Sequence, residues 1–207
     1  MAEIARRSPL IASQPPGAYG ANTASPAVTL AERQPAALLR LFARTNDGEF
    51  GSALRAIIKL ELPSAPNTTS EGDGHALLWL APSQWLLVCD DESSVILESQ
   101  LEEALAGTTG TVVDVTHGYA AVEIAGACAR GVLAKGVPVD LHASAFETGT
   151  CVQTCLADMN VLLHARRPPT ITVYVGRSYA ASLWEWLAVS AAEFGYRVAA
   201  PSARSDI

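Results

Sequence analysis

The sequence predicts an α+β protein of two fused β-α-β-β-α-β-like units, each an antiparallel sheet with helices on one face. Three observations lead to this prediction. Short segments rich in leucine and β-branched residues alternate with segments in which apolar residues recur at helical spacing. Their order in the first half of the chain nearly repeats in the second half. The chain has 207 residues, which is long enough for two small domains that each bury a core.

The first unit is predicted over residues 29–116. Apolar residues at positions 50, 54, 57 and 58 share one face of a helix that Asp47 can cap. A Pro82-Ser83 turn joins two apolar strands, and the polar residues 63–74 are predicted to form a loop. The elements expected in order are a strand at 38–44, a helix from 47, strands at 75–80 and 85–90, a helix over 95–105 and a strand at 110–115.

The second unit is predicted over residues 117–207. Gly136 and Gly195 are typical of residues that end helices, and Ser178 can cap the helix that runs to Gly195. An Asp-Met-Asn stretch at 158–160 favours a turn between two strands. The elements expected in order are a strand at 119–124, a helix over 127–135, an irregular connection at 138–149, strands at 150–156, 161–165 and 170–175, a helix over 178–194 and a strand at 196–198.

Residues 1–28 are rich in Pro, Ala, Ser and Gly and show no periodicity. This composition predicts an extended N-terminal arm, which is disordered alone or lies along another surface. Prolines interrupt the region where a secretory signal needs a continuous apolar core, so we expect a cytoplasmic protein.

Composition and charge restrict the classes of partner. The net charge is −7, which argues against nucleic acid or an anionic membrane as a ligand. No apolar run approaches the ~20 residues that span a bilayer. Hydrophobic residues make up 49% of the chain against 17% charged residues. This excess indicates either a large alanine-rich core or an apolar surface that a partner covers.

No metal or cofactor site is predicted in this chain. Its four cysteines lie in apolar segments and are interpreted as small buried hydrophobes. Cys151 and Cys155 would be about 13 Å apart on one strand, which is too far for a disulfide or a shared metal ion. The sequence also lacks the glycine-rich phosphate motifs of nucleotide-binding proteins.

Asp114, Thr116 and His117 form a polar triplet with candidate chemistry. A carboxylate, a hydroxyl and an imidazole at a strand end can hydrogen-bond a pterin-like heterocycle or transfer a proton. The competing interpretation is that they satisfy backbone groups at the junction between the units. We favour this structural interpretation, because the triplet has no second acid or nucleophile in its motif, and we predict no catalytic residue in the chain.

The C-terminal helix carries the candidate protein interface. Trp184 and Trp186 lie about 200° apart around a helix, so one core cannot bury both. Trp186 is expected to meet a partner, with Arg177 and Tyr179 as further interface candidates. The alternative is that its ring covers the edge of its own sheet.

Four segments carry a resemblance to a known family. They are Val113–Gly126, Arg177–Leu187, Val132–His142 with the trailing Phe146, and, more loosely, Trp79–Val88. These residues resemble the gamma subunit of heterotetrameric sarcosine oxidase, over roughly residues 38–195. The resemblance implies a fold like the leading part of an aminomethyltransferase, the glycine-cleavage T-protein.

The resemblance also implies a function. The chain is expected to be a non-catalytic subunit beside alpha, beta and delta subunits, in an enzyme that oxidatively demethylates sarcosine to glycine with O2. The products beside glycine are hydrogen peroxide and formaldehyde, or methylenetetrahydrofolate when tetrahydrofolate is present. FAD, FMN and NAD are expected in the larger subunits, and zinc in the smallest one.

Two other functions stay open. One is a stand-alone folate-dependent aminomethyl or one-carbon transfer protein, and the other is an interaction module outside amine metabolism. In the resembled family and in the related folate-binding repair proteins, a cysteine often follows the Lys-Gly pair that stands here at residues 135–136. Val137 occupies that place, which argues against a thiol-dependent role.

Overall fold

The computed structural model describes residues 8–10, 14–43, 48–72, 74–91, 93–166 and 170–201. The elements in chain order are β1 Gly17–Tyr19, β2 Val28–Arg33, β3 Ala37–Ala43, α1 Gly48–Ile58, β4 Thr69–Gly72, β5 His75–Ala81, β6 Gln84–Cys89, α2 Ser94–Leu105, β7 Gly110–Asp114, β8 Tyr119–Ala125, α3 Ala129–Ala134, β9 Thr150–Leu156, β10 Met159–Ala165, β11 Ile171–Gly176, α4 Ala180–Ala191 and β12 Tyr196–Val198. Short 3-10 turns flank α4 on both sides. Among these residues, no helix is both long and apolar enough to cross a bilayer.

The described chain divides into two compact units, which we call the seven-stranded unit and the five-stranded unit. The seven-stranded unit comprises the described residues up to Arg33, His117–Phe146 and Thr154–Pro201. The five-stranded unit comprises the described residues of Gln34–Thr116 and Glu147–Gln153. These bounds differ from the predicted 29–116 and 117–207 in two places. β2 pairs with β8 and β12, which lie far along the chain, and residues 147–153 group with the five-stranded unit.

The five-stranded sheet has the order β4-β5-β6-β3-β7, with antiparallel neighbours throughout. Both of its helices place an apolar residue every four positions on the buried face. These residues are Phe50, Leu54 and Ile58 in α1 and Leu97, Leu101 and Leu105 in α2. They join the apolar face of the sheet in one core, where Phe50 stacks on Trp85 at 5.8 Å. Gly110 leaves room for this ring, because a Cβ there would lie 2.4 Å from Phe50.

The seven-stranded sheet has the order β1-β12-β2-β8-β11-β10-β9. β8 pairs antiparallel with β2 and β11, β10 pairs antiparallel with β11, and β1 pairs antiparallel with β12. β12 and β2 run parallel. α4 packs against β8 and β11 and buries Leu183, Trp184 and Leu187, while the β8 residues Val122 and Ile124 are fully buried. The core of this unit therefore combines one long helix with the central strands.

The two units repeat one order of elements, β-α-β-β-β-α-β. The run from β3 to β7 matches the run from β8 to β12, and matched strands take matching places in their sheets. The difference is β2, which lies between β8 and β12, whereas β3 and β7 pair directly. The α+β fold with antiparallel sheets is confirmed, and so is the predicted repeat.

Three local predictions differ from the structure or fall outside it. The loop predicted at 63–74 contains β4, which pairs with β5 although its residues are mostly polar. Ser178 lies in the 3-10 turn before α4, and no side chain caps the first turn of that helix. Asp47, the predicted cap of α1, lies outside the described residues.

The predicted N-terminal arm is built into the seven-stranded unit over its described parts, residues 8–10 and 14–28. β1 pairs with β12, and Tyr19 stacks on Tyr196 at 5.5 Å. Gly20 has a φ of +75°, and the next amide, that of Ala21, donates a 2.7 Å hydrogen bond to the carbonyl of Ala192. A Cβ on Gly20 would lie 2.5 Å from that carbonyl oxygen. The arm is ordered by contacts with β12 and Ala192, near the other end of the same chain. The composition of the arm does not indicate these contacts.

Candidate functional site

The polar triplet at the end of β7 is engaged mainly with backbone groups. The Asp114 carboxylate accepts the amide hydrogen of Thr116 at 2.7 Å, and the buried Thr116 hydroxyl accepts that of Leu38 at 2.9 Å. The Asp114 amide donates to the Glu98 carboxylate at 3.0 Å. These bonds tie the end of β7 to β3 and α2. Residue 117, a histidine, begins the other unit and is exposed. Folate binding by the triplet stays a prediction.

Trp186 packs within its own unit. Its ring lies over Gly136, where a Cβ would come within 2.4 Å of it, and its side chain is half-buried. Trp184 is buried against the core on the other side of α4. The structure thus assigns part of the Trp186 surface to an intramolecular contact and not to a partner. Trp186 and Gly136 are far apart in sequence, so helical spacing alone does not reveal this pairing.

Of the three interface candidates, Tyr179 presents the most surface. Its side chain is 53% exposed, whereas Arg177 is half-buried and its amide donates to the carbonyl of Gly118 at 2.9 Å. Val189, on the outer face of α4, is 72% exposed, and its place in the sequence did not single it out. Among the described residues of this unit, Tyr179 and Val189 are the large apolar residues left exposed to a partner.

A second apolar surface belongs to the five-stranded unit. Val95 and Ile96 in α2 are exposed, and so is Val113 in β7, the edge strand of the sheet. Helical spacing could have indicated the first two, because they lie off the stripe that α2 buries. An exposed apolar pair beside an open strand edge is typical of a surface that meets another chain.

Glu123 forms ion pairs with two arginines. The sequence analysis did not predict these pairs. Its carboxylate lies 3.1 Å from Arg33 in β2 and 2.9 Å from Arg166, just after β10. The Arg33 side chain is only 6% exposed, and that of Glu123 18%. The three residues are far apart in sequence, and only the pairing of β2 and β10 in one sheet with β8 brings them together.

The Cys151 thiol is buried in a setting that disfavours its reactive thiolate form. The thiol donates to the carbonyl of Trp79 at 3.3 Å. Burial raises the pKa of the Cys151 thiol to about 12, although the hydrogen bond to the Trp79 carbonyl acts in the opposite direction. A thiol that stays protonated at neutral pH is a poor nucleophile and a poor metal ligand. The interpretation of the cysteines as buried hydrophobes agrees with this environment of Cys151, but it is wrong for Cys155, which is exposed.

A protein-family model described as the sarcosine oxidase, gamma subunit family matches residues 43–193. This span is well over half of the 207 residues and includes elements of both units. The chain belongs to the sarcosine oxidase gamma subunit family. The resemblance inferred from the four sequence segments is confirmed.

Curated members of this gamma subunit family agree with the assignment. Sarcosine oxidase subunit gamma of Corynebacterium sp. (strain U-96) is 31% identical over 171 residues, which are 81% of this chain and 81% of that protein. The gamma subunit of Arthrobacter sp is 34% identical over 113 residues. That match covers 54% of this chain and about half, 55%, of the Arthrobacter protein.

Solved structures show the same relation at the level of the fold. A chain of the heterotetrameric sarcosine oxidase from Corynebacterium sp. U-96, in complex with pyrrole 2-carboxylate, has a TM-score of 0.79 at 30% identity. The alignment covers 91% of this chain and 96% of that chain. The glycine cleavage system aminomethyltransferase T from Bartonella henselae has a TM-score of 0.61 at 15% identity, over 85% of this chain and 48% of that one. The second likeness confirms the aminomethyltransferase-like fold and nothing more.

The segment at 132–146 that carries part of the gamma-subunit resemblance has a structural role. Arg130 donates to the carbonyls of Leu141 at 2.6 Å and Phe146 at 2.9 Å, which holds the irregular connection after α3. Lys135 donates to the carbonyl of Ser190 and pairs with Glu193, so it links the end of α3 to the end of α4. Lys135 within this segment and Arg130 just before it thus order backbone segments within the unit.

Proposed function

We propose that the chain is the gamma subunit of a heterotetrameric sarcosine oxidase and that its contribution is structural. The observation that supports this most is its likeness to a chain of the Corynebacterium enzyme, which extends over nearly the whole of both chains. The complex would oxidise sarcosine with O2 to glycine, hydrogen peroxide and formaldehyde. With tetrahydrofolate it would form methylenetetrahydrofolate instead.

A structural contribution is supported by how the described polar groups are used. The Asp114 and Thr116 side chains bond backbone groups, Glu123 pairs with two arginines, and the Cys151 thiol is buried. The sequence has no glycine-rich motif to cradle a nucleotide phosphate. We therefore assign FAD, FMN and NAD to larger alpha and beta subunits and zinc to a small delta subunit, and we derive no chemical step in this chain.

The partners would cover the exposed apolar surfaces of the two units. Tyr179 and Val189 lie on one unit, and Val95, Ile96 and Val113 on the other. Contacts between subunits bury such residues and gain affinity from removing them from water. We also propose that the complex lies in the cytoplasm.

Co-expression tests the proposal. The chain is produced alone and together with candidate alpha, beta and delta subunits, and each preparation is assayed for sarcosine-dependent peroxide. We expect no turnover from the chain alone, and a complex that co-purifies and turns over. Turnover by the isolated chain, or failure to enter the complex, would overturn the proposal.

The same preparations distinguish the alternative of a stand-alone folate protein. The isolated chain is titrated with tetrahydrofolate in a calorimeter. If the alternative holds, the natural sequence binds tetrahydrofolate and Asp114→Ala does not. We expect no binding, since the Asp114 carboxylate is committed to the Thr116 amide.

A further inference from the structure

Three potential metal ligands meet at one end of the β5–β6 hairpin. They are His75, Cys89 and Asp91, and a ring nitrogen, the sulfur and a carboxylate oxygen all lie within 4.8 Å of one another. The Sγ of Cys89 is 3.3 Å from Oδ1 of Asp91. The three residues are separate from the β7 triplet and from the exposed apolar surfaces, and the structural role proposed for the chain does not use them.

The backbone explains why these side chains converge. His75 and Cys89 are directly opposite in the antiparallel register, so their side chains project to the same side of the sheet. Asp91 follows two residues later, just beyond the end of β6, and its carboxylate accepts a hydrogen bond from the Cys89 thiol. The Asp90 amide donates to the Gly74 carbonyl at 3.0 Å and holds the two chain segments together.

Gly74 keeps space for the Asp91 carboxylate. It has a φ of +78°, which favours glycine, and a Cβ at this position would lie 2.8 Å from Oδ2 of Asp91. Any other residue would therefore displace the carboxylate from the imidazole and the thiol.

We propose that His75, Cys89 and Asp91 form a binding site for a divalent transition-metal ion of the zinc class. Zinc binds imidazole nitrogen, thiolate sulfur and carboxylate oxygen at roughly 2.0–2.3 Å, so its tetrahedral ligands lie roughly 3.5 Å apart. The 3.3 Å between Cys89 and Asp91 already meets this spacing. A ring nitrogen of His75 lies within 4.8 Å of both atoms.

The mixed ligand set decides the class of ion. A thiolate and an imidazole favour Zn²⁺ and Co²⁺ over the hard ions Mg²⁺ and Ca²⁺, which prefer an all-oxygen set. On binding, the Cys89 thiol loses its proton to solvent as the metal–sulfur bond forms, and affinity therefore falls as the pH is lowered. Asp91 is exposed and Cys89 is buried, so a fourth position on the solvent side can take water.

Cobalt titration tests the site. The full chain, prepared without a polyhistidine tag and treated with chelator, is titrated with Co²⁺. We expect one ion per chain, with a thiolate-to-cobalt charge-transfer band in the near ultraviolet, and competition by Zn²⁺ but not by Mg²⁺. Absence of that band in the natural sequence would overturn the proposal.

Variants attribute the band to these residues. Cys89→Ser should abolish the charge-transfer band, and His75→Gln or Asp91→Asn should weaken binding about tenfold or more. Asp91 is exposed, so we expect Asp91→Asn to fold, and this variant covers the case in which Cys89→Ser does not fold. Cys155→Ser is the matched control, because Cys155 is exposed and distant in sequence, and it should retain the band. A band that survives Cys89→Ser, or unchanged affinity in both His75→Gln and Asp91→Asn, would refute the site.

Discussion

Trp186 lies so close over Gly136 that no other residue fits beneath the ring: a Cβ on Gly136 would be 2.4 Å from it. Gly136 follows α3, and Trp186 is in the middle of α4. The contact joins the two helices of the seven-stranded unit beside the Lys135–Glu193 ion pair. It accounts for a large aromatic residue on the outer side of a helix whose inner side is already filled by Trp184.

Gly136→Ala should lower the free energy of unfolding by about 1–3 kcal/mol, because the added methyl group forces the Trp186 ring to move. Urea denaturation followed by circular dichroism measures this. Gly131→Ala is the matched control, since nothing lies within 4 Å of a Cβ there and the residue is inside α3. It should be neutral or stabilising by up to about 1 kcal/mol. Equal stabilities for the two variants would contradict the packing.

Glu123→Gln should destabilise the fold by about 2–3 kcal/mol, because Arg33 and Arg166 lose the carboxylate that they share in a largely buried setting. The measurement is the shift of the urea midpoint at constant slope. Glu61→Gln provides the comparison: its partner Arg55 and Glu61 itself are both well exposed, so the loss should be below about 1 kcal/mol. A Glu123 variant as stable as the Glu61 variant would mean that the buried network contributes little.

Arg130→Lys should loosen the connection at 137–149, because an ammonium cannot reach the carbonyls of Leu141 and Phe146 together as the guanidinium does. The loss of one charge-assisted hydrogen bond corresponds to about 1.5–3 kcal/mol. Limited proteolysis should show new cleavage within 137–149, identified by mass spectrometry. Arg197→Lys, at an exposed position of β12, should leave the cleavage pattern unchanged.

Cys151 should not react with a thiol reagent at about pH 8, because its pKa of about 12 leaves almost no thiolate and its side chain is buried. The exposed Cys155 should react rapidly under the same conditions. Peptide mapping after timed alkylation measures both residues in one sample. Comparable rates would show that Cys151 is accessible in solution.

The raised pKa of Cys151 also predicts how stability depends on pH. Folding raises this pKa from its ordinary value of 9.0 to about 12, so the contribution to stability is complete below pH 9 and is lost as the pH rises towards 12. The loss is at most about 1.4 kcal/mol per pH unit. Urea titrations from about pH 8 to about pH 10.5 measure the free energy of unfolding, which should fall less steeply with pH in Cys151→Ala than in the natural sequence. An identical decline in both proteins would indicate that other groups dominate.

Val189→Asp should weaken assembly with the partner subunits by about tenfold or more, since a charge would replace a 72% exposed apolar side chain at the proposed interface. Co-purification at graded concentrations measures this. Ser182→Asp, at another exposed position of α4, is the control for added charge alone. Normal assembly of the Val189 variant would move the interface to Val95, Ile96 and Val113 of the other unit.

Local pattern was enough to predict most elements of both units. The four-residue spacing of Phe50, Leu54 and Ile58 predicted α1, and β-branched residues fenced by prolines predicted β11. β4 was missed because its Thr-Ser-Glu-Gly sequence has no apolar alternation, and pairing with β5 forms it nonetheless. The role of Ser178 as a cap was wrong, because a 3-10 turn precedes α4.

The metal ligands show where counting along a sequence fails. The Pro82-Ser83 turn pairs Ala81 with Gln84, and a regular hairpin counted from there would set His75 opposite Asp90. An irregularity between Trp79 and Ala81 shifts the register by one residue and sets His75 opposite Cys89. A shift of one residue turns every later side chain to the other face of the sheet.

By itself, the sequence determined the family, the α+β class and the repeat of two similar units. These properties follow from periodicity and motifs, which involve residues close together in the sequence. Tertiary structure decided that β2 belongs to the seven-stranded sheet, that Trp186 covers Gly136, and that Glu123 pairs with Arg33 and Arg166. Each of these depends on pairing or packing between segments that are distant along the chain. Which helix and sheet faces pack together depends on the apolar area that the whole fold buries. A short segment of sequence does not show which distant segment will pack against it.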